Sequence, residues 1–224
     1  MEQEDVKVKI LKNIVFVAGH PRSGTSLACQ LLESAGVKFP SDFRGDKYNH
    51  KGYYEILSSK ELSKKLIKEA MTVENTIEMN KIVDRLNEYH AYSGLKLVRI
   101  AALFFYRHIS KNMRAVFVFR NPADVKASLL RRGIAEFRPN WLENNNALIA
   151  AYENTKKSII ISFETLINGG ENVKNAFDKI DFDIELNIIK PEQRTQKKSR
   201  MLITNEEKRL YNVLKELEAE SLGI

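Results

Sequence analysis

A glycine-rich segment near the start of the chain has the residue types of a phosphate-binding loop. It reads VFVAGHPRSGTSLACQLLE, in which Gly19 and Gly24 allow the backbone to curl closely around an oxyanion. The N–H groups that open the following helix point at such a charge, and Thr25 and Ser26 add hydroxyl donors. ATPases and kinases carry a lysine immediately before the hydroxyl, whereas this chain has Thr25 there and Arg22 three positions earlier. The pattern disfavours ordinary NTP hydrolysis and predicts a guanidinium that stabilises negative charge on a leaving oxygen.

A second segment with phosphate-binding chemistry follows an apolar run later in the chain. It reads FRNPADVKASLLRR, where Arg120 offers a forked set of donors suited to phosphate and Ser128 lies about two helical turns farther on. Asn121 and Pro122 are the residue types of a helix N-cap and a first helical position. Alone, the segment fits a capped helix with a solvated serine equally well, and the glycine-rich loop upstream favours the phosphate-binding interpretation.

Apolar runs separated by helical patterns predict the elements that position these two segments. Capping boxes are predicted at Ser58 with Glu61 and at Thr204 with Glu207. Strands that alternate with helices predict an α/β fold, a three-layer sandwich with a mostly parallel central sheet, whose ligands bind at the carboxyl ends of the strands. Both segments follow a predicted strand. The strands are predicted at 13–18, 95–100, 115–119 and 158–163, and the helices start near 24, 58, 74, 121, 141, 171 and 204.

Composition limits the class of protein. The 224 residues, 43% hydrophobic and 29% charged, predict one globular domain over 1–224, without a targeting peptide or a membrane span. The one cysteine, Cys29, cannot form an internal disulfide, so the predicted location is the cytoplasm. A net charge of +7 suits an anionic ligand, and the scattered basic residues lack a nucleic-acid-binding signature. The histidines are scattered too, so no metal site is predicted, and the oligomeric state is not indicated.

The two segments together resemble a known family. GHPRSGTS is similar to the 5′-phosphosulfate-binding loop of sulfotransferases that use 3′-phosphoadenylyl sulfate (PAPS), in the arginine-bearing form of tyrosylprotein and many bacterial members. FRNPADVKASLLRR resembles the family segment in which an arginine and a serine eight residues later hold the 3′-phosphate. The resemblance implies a P-loop NTPase-like sulfotransferase fold and metal-free transfer of a sulfuryl group from PAPS to an acceptor hydroxyl or amine, releasing adenosine 3′,5′-bisphosphate (PAP). The implied cofactor-binding residues are Arg22, Ser23, Gly24, Thr25, Ser26, Arg120 and Ser128.

Weaker similarities extend to the catalytic base. KGYYE, at 51–55, resembles a Gly-Tyr-Phe-Glu element of small bacterial sulfotransferases, so Glu55 is the first candidate base and His50 the second. A structural role for Glu55, in an ion pair or a helix cap, stays equally open. The glycine-rich C-terminal cofactor loop of cytosolic sulfotransferases is absent, and the basic segment 194–200 either replaces it or is a solvated loop.

Two other functions and the acceptor stay open. A small P-loop kinase is disfavoured by the missing lysine, and a non-catalytic PAP- or PAPS-binding protein is compatible with the same loop. Lys96 and Arg99, in LKLVR, are candidates to position the sulfuryl group or the acceptor, or to form salt bridges. The acceptor can be a carbohydrate, a lipid, a phenol or other small molecule, or a peptide.

Overall fold

The chain forms an α/β fold around a four-stranded, all-parallel sheet of order β2-β1-β3-β4. This computed structural model describes residues 6–46, 49, 51–88, 92–189 and 199–224. The strands are short runs of mostly apolar residues, and nearly every position in them is buried, as expected for a parallel sheet covered on both faces. Their bounds are β1 (Ile14–Ala18), β2 (Ser93–Leu97), β3 (Met113–Phe119) and β4 (Ser158–Ser162).

Helices cover both faces of the sheet. Alternate residues of β1 point to opposite faces, so Ile14 and Phe16 join one apolar cluster while Val15 and Val17 join the other. The predicted three-layer architecture is therefore confirmed. The helices are α1 (Thr25–Ser34), α2 (Leu57–Leu66), α3 (Val73–Asn87), α4 (Leu103–Tyr106), α5 (Pro122–Leu130), α6 (Trp141–Glu153), α7 (Phe163–Asn168), α8 (Glu171–Asp178) and α9 (Asn205–Leu222), with 3₁₀ turns at Ile100–Ala102, Arg107–Ile109 and Leu186–Ile188.

Helix starts show where local sequence decided the structure. Thr204 and Glu207 form the predicted capping box of α9, and Asn121 caps α5 with its side chain. The box predicted at Ser58 and Glu61 was wrong. Helix α2 begins at Leu57, whose N–H donates to Oδ2 of Asp42 at 2.7 Å, so a carboxylate from the preceding loop caps this helix.

No helix in the described ranges is both long and apolar enough to cross a lipid bilayer.

Candidate functional site

The order of the strands brings the two predicted segments together. From β1 the chain crosses to β2 on one side and then to β3 on the other, so β1 and β3 are neighbours at the point where the topology reverses. The loop 19–24 follows β1 and Arg120 follows β3. Ligands of open parallel sheets bind in this crevice, outside the carboxyl ends of the strands.

The loop after β1 requires its two glycines. A Cβ at Gly19 would collide with the carbonyl oxygen of Val118, and a Cβ at Gly24 would collide with the ring of Phe163. Gly24 also has a φ of 96°, and Arg22 has a φ of 73°, which is uncommon for a residue with a Cβ. Strained backbone of this kind is concentrated at functional sites.

Polar groups inside the loop are buried. Ser23 is fully buried, and among the described residues its Oγ has no hydrogen-bond partner. His20 is also buried, with Nδ1 donating to the carbonyl of Pro21 at 2.9 Å, and burial lowers its pKa to about 4. The imidazole is therefore neutral near pH 7 and supports the loop rather than adding charge to it.

Three of the predicted phosphate-binding residues are in contact. Nε of Arg22 donates to Oγ of Ser128 at 3.0 Å, and Nη1 of Arg120 donates to the carbonyl of Arg22 at 3.3 Å. Arg120 and Ser128 are 7% and 5% exposed. Nε1 of Trp141 donates to the carbonyl of Arg120 at 3.2 Å, and the ring of Phe163 lies under its guanidinium at 4.3 Å. Trp141 is thus a buried support for this site.

Positive charge is concentrated around this contact. Burial, followed by repulsion from Arg132 and Arg120, lowers the pKa of Arg22 to about 10. Burial is also the main cause of the lowered pKa of Arg120. Arginines held this close in a buried crevice create a positive potential, which a bound anion would neutralise.

The loop before α2 closes the other side of the glycine-rich loop. Nδ2 of Asn49 and Nζ of Lys96 donate to Oγ of Ser26 at 3.1 and 3.3 Å. Arg132, after α5, donates to the hydroxyl of Tyr53 at 2.7 Å, and that hydroxyl donates to Asp46 at 2.6 Å. These contacts hold Asp46, Asn49 and Tyr53 between α1 and the end of α5.

Glu55 lies in an ion-paired cluster beside the loop. Its carboxylate is 3.1 Å from Nζ of Lys96 and 3.5 Å from Nζ of Lys60, and its side chain is 15% exposed. The cluster faces a shallow cleft that opens to solvent. We call it the Glu55 cleft; it is lined by Glu55, Ile56, Ser59, Lys60, Ser63, Lys96, Leu97, Val98 and Arg99.

The predicted residues therefore fall into two adjoining groups. Arg22, Arg120 and Ser128 meet at the crevice between β1 and β3, and Ser26 joins that crevice to Lys96 and the Glu55 cleft. His50 lies outside the described residues, as does the basic segment except for Ser199 and the exposed Arg200. In the described ranges no group of histidine, cysteine and carboxylate side chains is arranged to hold a metal. Sequence reasoning missed Asn49, Phe163 and Arg132, of which only Arg132 is a residue type that charge alone could have flagged.

Comparisons with known proteins support the fold. No protein-family model and no curated protein matches the sequence significantly. The sulfotransferase domain of the Synechococcus PCC 7002 olefin synthase superposes with a TM-score of 0.60 at 14% identity, covering 92% of this chain and 96% of that domain. Mouse sulfotransferase SULT7A1, solved as a complex with PAP, matches more loosely, with a TM-score of 0.45 at 10% identity over 97% of this chain and 87% of the mouse protein. The first match establishes that this chain has the fold of a sulfotransferase domain.

Proposed function

We propose that the protein is a sulfotransferase that moves a sulfuryl group from PAPS to an acceptor hydroxyl or amine and releases PAP. A shared fold does not imply a shared reaction, so the proposal depends on the site. The observation that carries it is the contact between Arg22, Arg120 and Ser128 beside a glycine-rich loop at the topological switch point. The cytoplasmic location and the single domain stay predictions of the sequence.

The residues at the crevice fit a donor with two separate anionic ends. Gly19 and Gly24 let the loop pack closely against Val118 and Phe163, where a Cβ would collide, and the buried hydroxyl of Ser23 makes no hydrogen bond among the described residues. These groups and Arg22 would hold the 5′-phosphosulfate. Arg120 and Ser128 would hold the 3′-phosphate, which ATP lacks.

When bound, the donor supplies a sulfuryl group whose S–O bond to the bridging oxygen breaks as the acceptor oxygen or nitrogen forms a new bond to sulfur. Arg22 stabilises the negative charge that grows on the bridging oxygen. Glu55 takes the acceptor's proton, because its carboxylate faces the cleft next to the loop. Lys96 links the two groups, since its Nζ contacts both Ser26 and Glu55.

The first test is ligand stabilisation. A ligand that binds the native state raises the melting temperature, so PAP should stabilise the protein far more than adenosine 5′-phosphate or ATP with Mg²⁺. Labelled PAPS should then transfer label to members of an acceptor panel. Stabilisation by ATP and Mg²⁺ instead would favour a kinase, and PAP binding without transfer to any acceptor would favour a non-catalytic binding protein.

The second test decides the base. Glu55→Gln keeps the size of the side chain but cannot accept a proton, and loss of a general base typically lowers turnover by about 100- to 10,000-fold. We expect this loss with PAP binding retained, while His50→Asn keeps most of the turnover. The reverse result would assign the base to His50 and leave Glu55 as the ion-pair partner of Lys96 and Lys60.

A further inference from the structure

We infer that the Glu55 cleft binds an acceptor that carries its own oxyanion, a carboxylate, phosphate or sulfate, and that Arg99 binds this anionic group. The inference names the substrate class for the proposed sulfotransferase function and rests on that function. It concerns a part of the site that the donor-binding residues do not form.

The cleft adjoins the glycine-rich loop, where the proposed transfer takes place. Lys96 lines it and also donates to Ser26 of the glycine-rich loop at 3.3 Å. Glu55, the proposed base, lines the same cleft. An acceptor in the cleft can therefore present a hydroxyl to Glu55 beside the loop.

The charge of the lining favours an anion. Lys60, Lys96 and Arg99 are its cations and Glu55 is its carboxylate. Lys96 lies 3.1 Å from Oε1 and Lys60 lies 3.5 Å from Oε2, so the single carboxylate of Glu55 already faces two ammonium groups. The nearby carboxylate of Glu61 pairs with Lys64 at 2.7 Å. Glu55 alone therefore cannot balance the third cation.

Arg99 is a cation of this cleft with hydrogen-bonding capacity left. Its Nη1 atom is buried and makes no hydrogen bond within the described part of the chain. A buried donor without an acceptor is costly, and such groups in native proteins usually have a partner. Burial is the main cause of the lowered pKa of Arg99, and the charges of Glu61 and Glu55 oppose that shift.

The fold holds this guanidinium in place. Its Cζ lies 5.2 Å from the ring centroid of Phe137. Asn144 fixes the backbone on both sides, accepting from the N–H of Ile100 at 3.3 Å and donating to the carbonyl of Val98 at 3.2 Å. A positioned planar fork suits the two oxygens of a carboxylate, phosphate or sulfate.

The remaining residues of the cleft determine how polar the surroundings of the bound anion are. Ile56, Leu97 and Val98 add apolar surface beside the charged groups. We therefore expect a compact acceptor with a hydroxyl at Glu55, an oxyanion at Arg99 and a short carbon skeleton between them.

The experiment compares acceptors that differ only in charge. The probes are para-hydroxyphenylacetate with its amide, mandelate with its amide, and glycerol phosphate with glycerol, so that carboxylate and phosphate are tested separately. Turnover with PAPS is measured, and so is the rise in melting temperature of the PAP-loaded protein with each probe. We expect an anionic probe to be preferred by about ten- to a hundredfold in kcat/KM, the range of a charge-assisted hydrogen bond.

Variants then assign the preference. Arg99→Gln should abolish it and Arg99→Lys should retain part of it, in turnover and in probe binding alike. Arg107→Gln is the matched control, because Arg107 also stacks on a phenylalanine, with its Cζ 4.2 Å from the centroid of Phe104, but does not line the cleft. The control should keep the full preference.

Two results would overturn the inference. Equal binding and turnover of charged and neutral probes would show that the cleft does not select an oxyanion. An equal loss of turnover with every acceptor in Arg99→Gln would indicate that Arg99 acts at the sulfuryl group instead. In both cases the wild type still binds PAP and transfers the sulfuryl group. Failure of the proposed function is distinct, because the wild type would then transfer no sulfuryl group from PAPS to any acceptor.

Discussion

Strand β3 has an arginine near each end, and the two have opposite surroundings. Arg114, at the amino end, is 5% exposed and has acceptors for its donors. Its Nε donates to the carbonyl of Ile180 and to Asp181, both at 3.0 Å, its Nη2 contacts the same carboxylate, and its Nη1 donates to Asn112 at 3.1 Å. Lys157 adds a second cation to Asp181 at 2.6 Å. This end is a completed ion-pair network.

Arg120, just past the carboxyl end, is as buried as Arg114 but lies beside other arginines. Its Nη1 reaches the backbone carbonyl of Arg22, whose own guanidinium is close enough to Arg120 and Arg132 for repulsion to lower its pKa. The carboxylate of Glu164 lies 4.0 Å from Nε of Arg120, and the charges of Asp124 and Glu164 oppose the lowering of its pKa. Burial is the main cause of the raised pKa of Glu164, and the charge of Arg120 opposes that shift.

The different surroundings of Arg114 and Arg120 suggest a role in stability for the amino end of β3 and a role in ligand binding for its carboxyl end. A buried arginine that meets carboxylate and carbonyl acceptors holds neighbouring elements together. Arginines placed so that they repel one another make the ligand-free protein less stable, and such an arrangement suits a site that binds an anion.

Arg22→Ala should lower turnover by about 100- to 1000-fold, the usual cost of removing one donor that stabilises transition-state charge. PAP has no sulfuryl group, so its affinity should fall much less, because the lost interaction is stronger in the transition state. Single-turnover kinetics with PAPS and calorimetry with PAP measure the two effects. Arg22→Lys should recover part of the rate.

The contrary result for Arg22 is specific. If turnover at saturating PAPS is unchanged and only affinity falls, then Arg22 is a binding residue and the proposed charge stabilisation is wrong.

Arg114→Ala and Arg120→Ala should affect different quantities. Arg114→Ala removes several hydrogen bonds to a buried guanidinium, and we expect a loss of about 2–3 kcal/mol in the free energy of unfolding with PAP affinity unchanged. Arg120→Ala should lower PAP affinity by about ten- to a hundredfold and affect adenosine 5′-phosphate far less, with little change in the stability of the ligand-free protein. Denaturant unfolding and titration calorimetry on both variants provide the four values.

Each variant is the control for the other. Equal losses of stability would mean that the carboxyl end is structural as well. Equal loss of PAP and adenosine 5′-phosphate binding in Arg120→Ala would mean that Arg120 does not read the 3′-phosphate.

The sequence predicted the fold because its apolar runs and loop chemistry are local. The strand AVFVF was placed at 115–119 and lies within β3, and Asn121 with Pro122 marked the start of α5. The errors arose where distant residues decide the outcome. Asp42 caps α2 from fifteen positions away in the chain. The helical turns at 100–109 pack into the core after β2, and no capping or helix-breaking residue in the sequence marks where they begin or end.

The same distinction applies to the candidate site. Gly19, Gly24 and Arg22 could be identified because one loop carries them all. The pairing of Glu55 with Lys96 and Lys60, by contrast, depends on how the loop before α2 lies against β2. Spacing along the chain carries no information about such a contact, so the sequence left a structural role for Glu55 open.

His20 should make stability depend on pH. Its native pKa of about 4 is below the unfolded value of about 6.5, so between these values the unfolded chain binds more protons. Stability is therefore lost as the pH falls through this window, by about 1–2 kcal/mol at pH 5. His20→Gln should flatten that part of the profile, measured by urea unfolding, while the exposed His108→Gln keeps it. An unchanged slope in His20→Gln would show that the loop does not hold a neutral histidine.

Removal of divalent metal should have the smallest effect, namely none. In the proposed reaction Arg22 and the loop amides take the place of the Mg²⁺ that γ-phosphoryl transfer uses, because a sulfuryl group carries less negative charge than a phosphoryl group. Transfer from PAPS in EDTA should thus equal transfer with added Mg²⁺, and Arg22→Ala should not be rescued by the metal. Such rescue would show that a metal can replace the guanidinium. Complete loss of wild-type activity in EDTA, restored by Mg²⁺, would show that a metal ion supplies the positive charge for the reaction. The arginines at the carboxyl end of β3 would then not have the functional role that distinguishes them from Arg114.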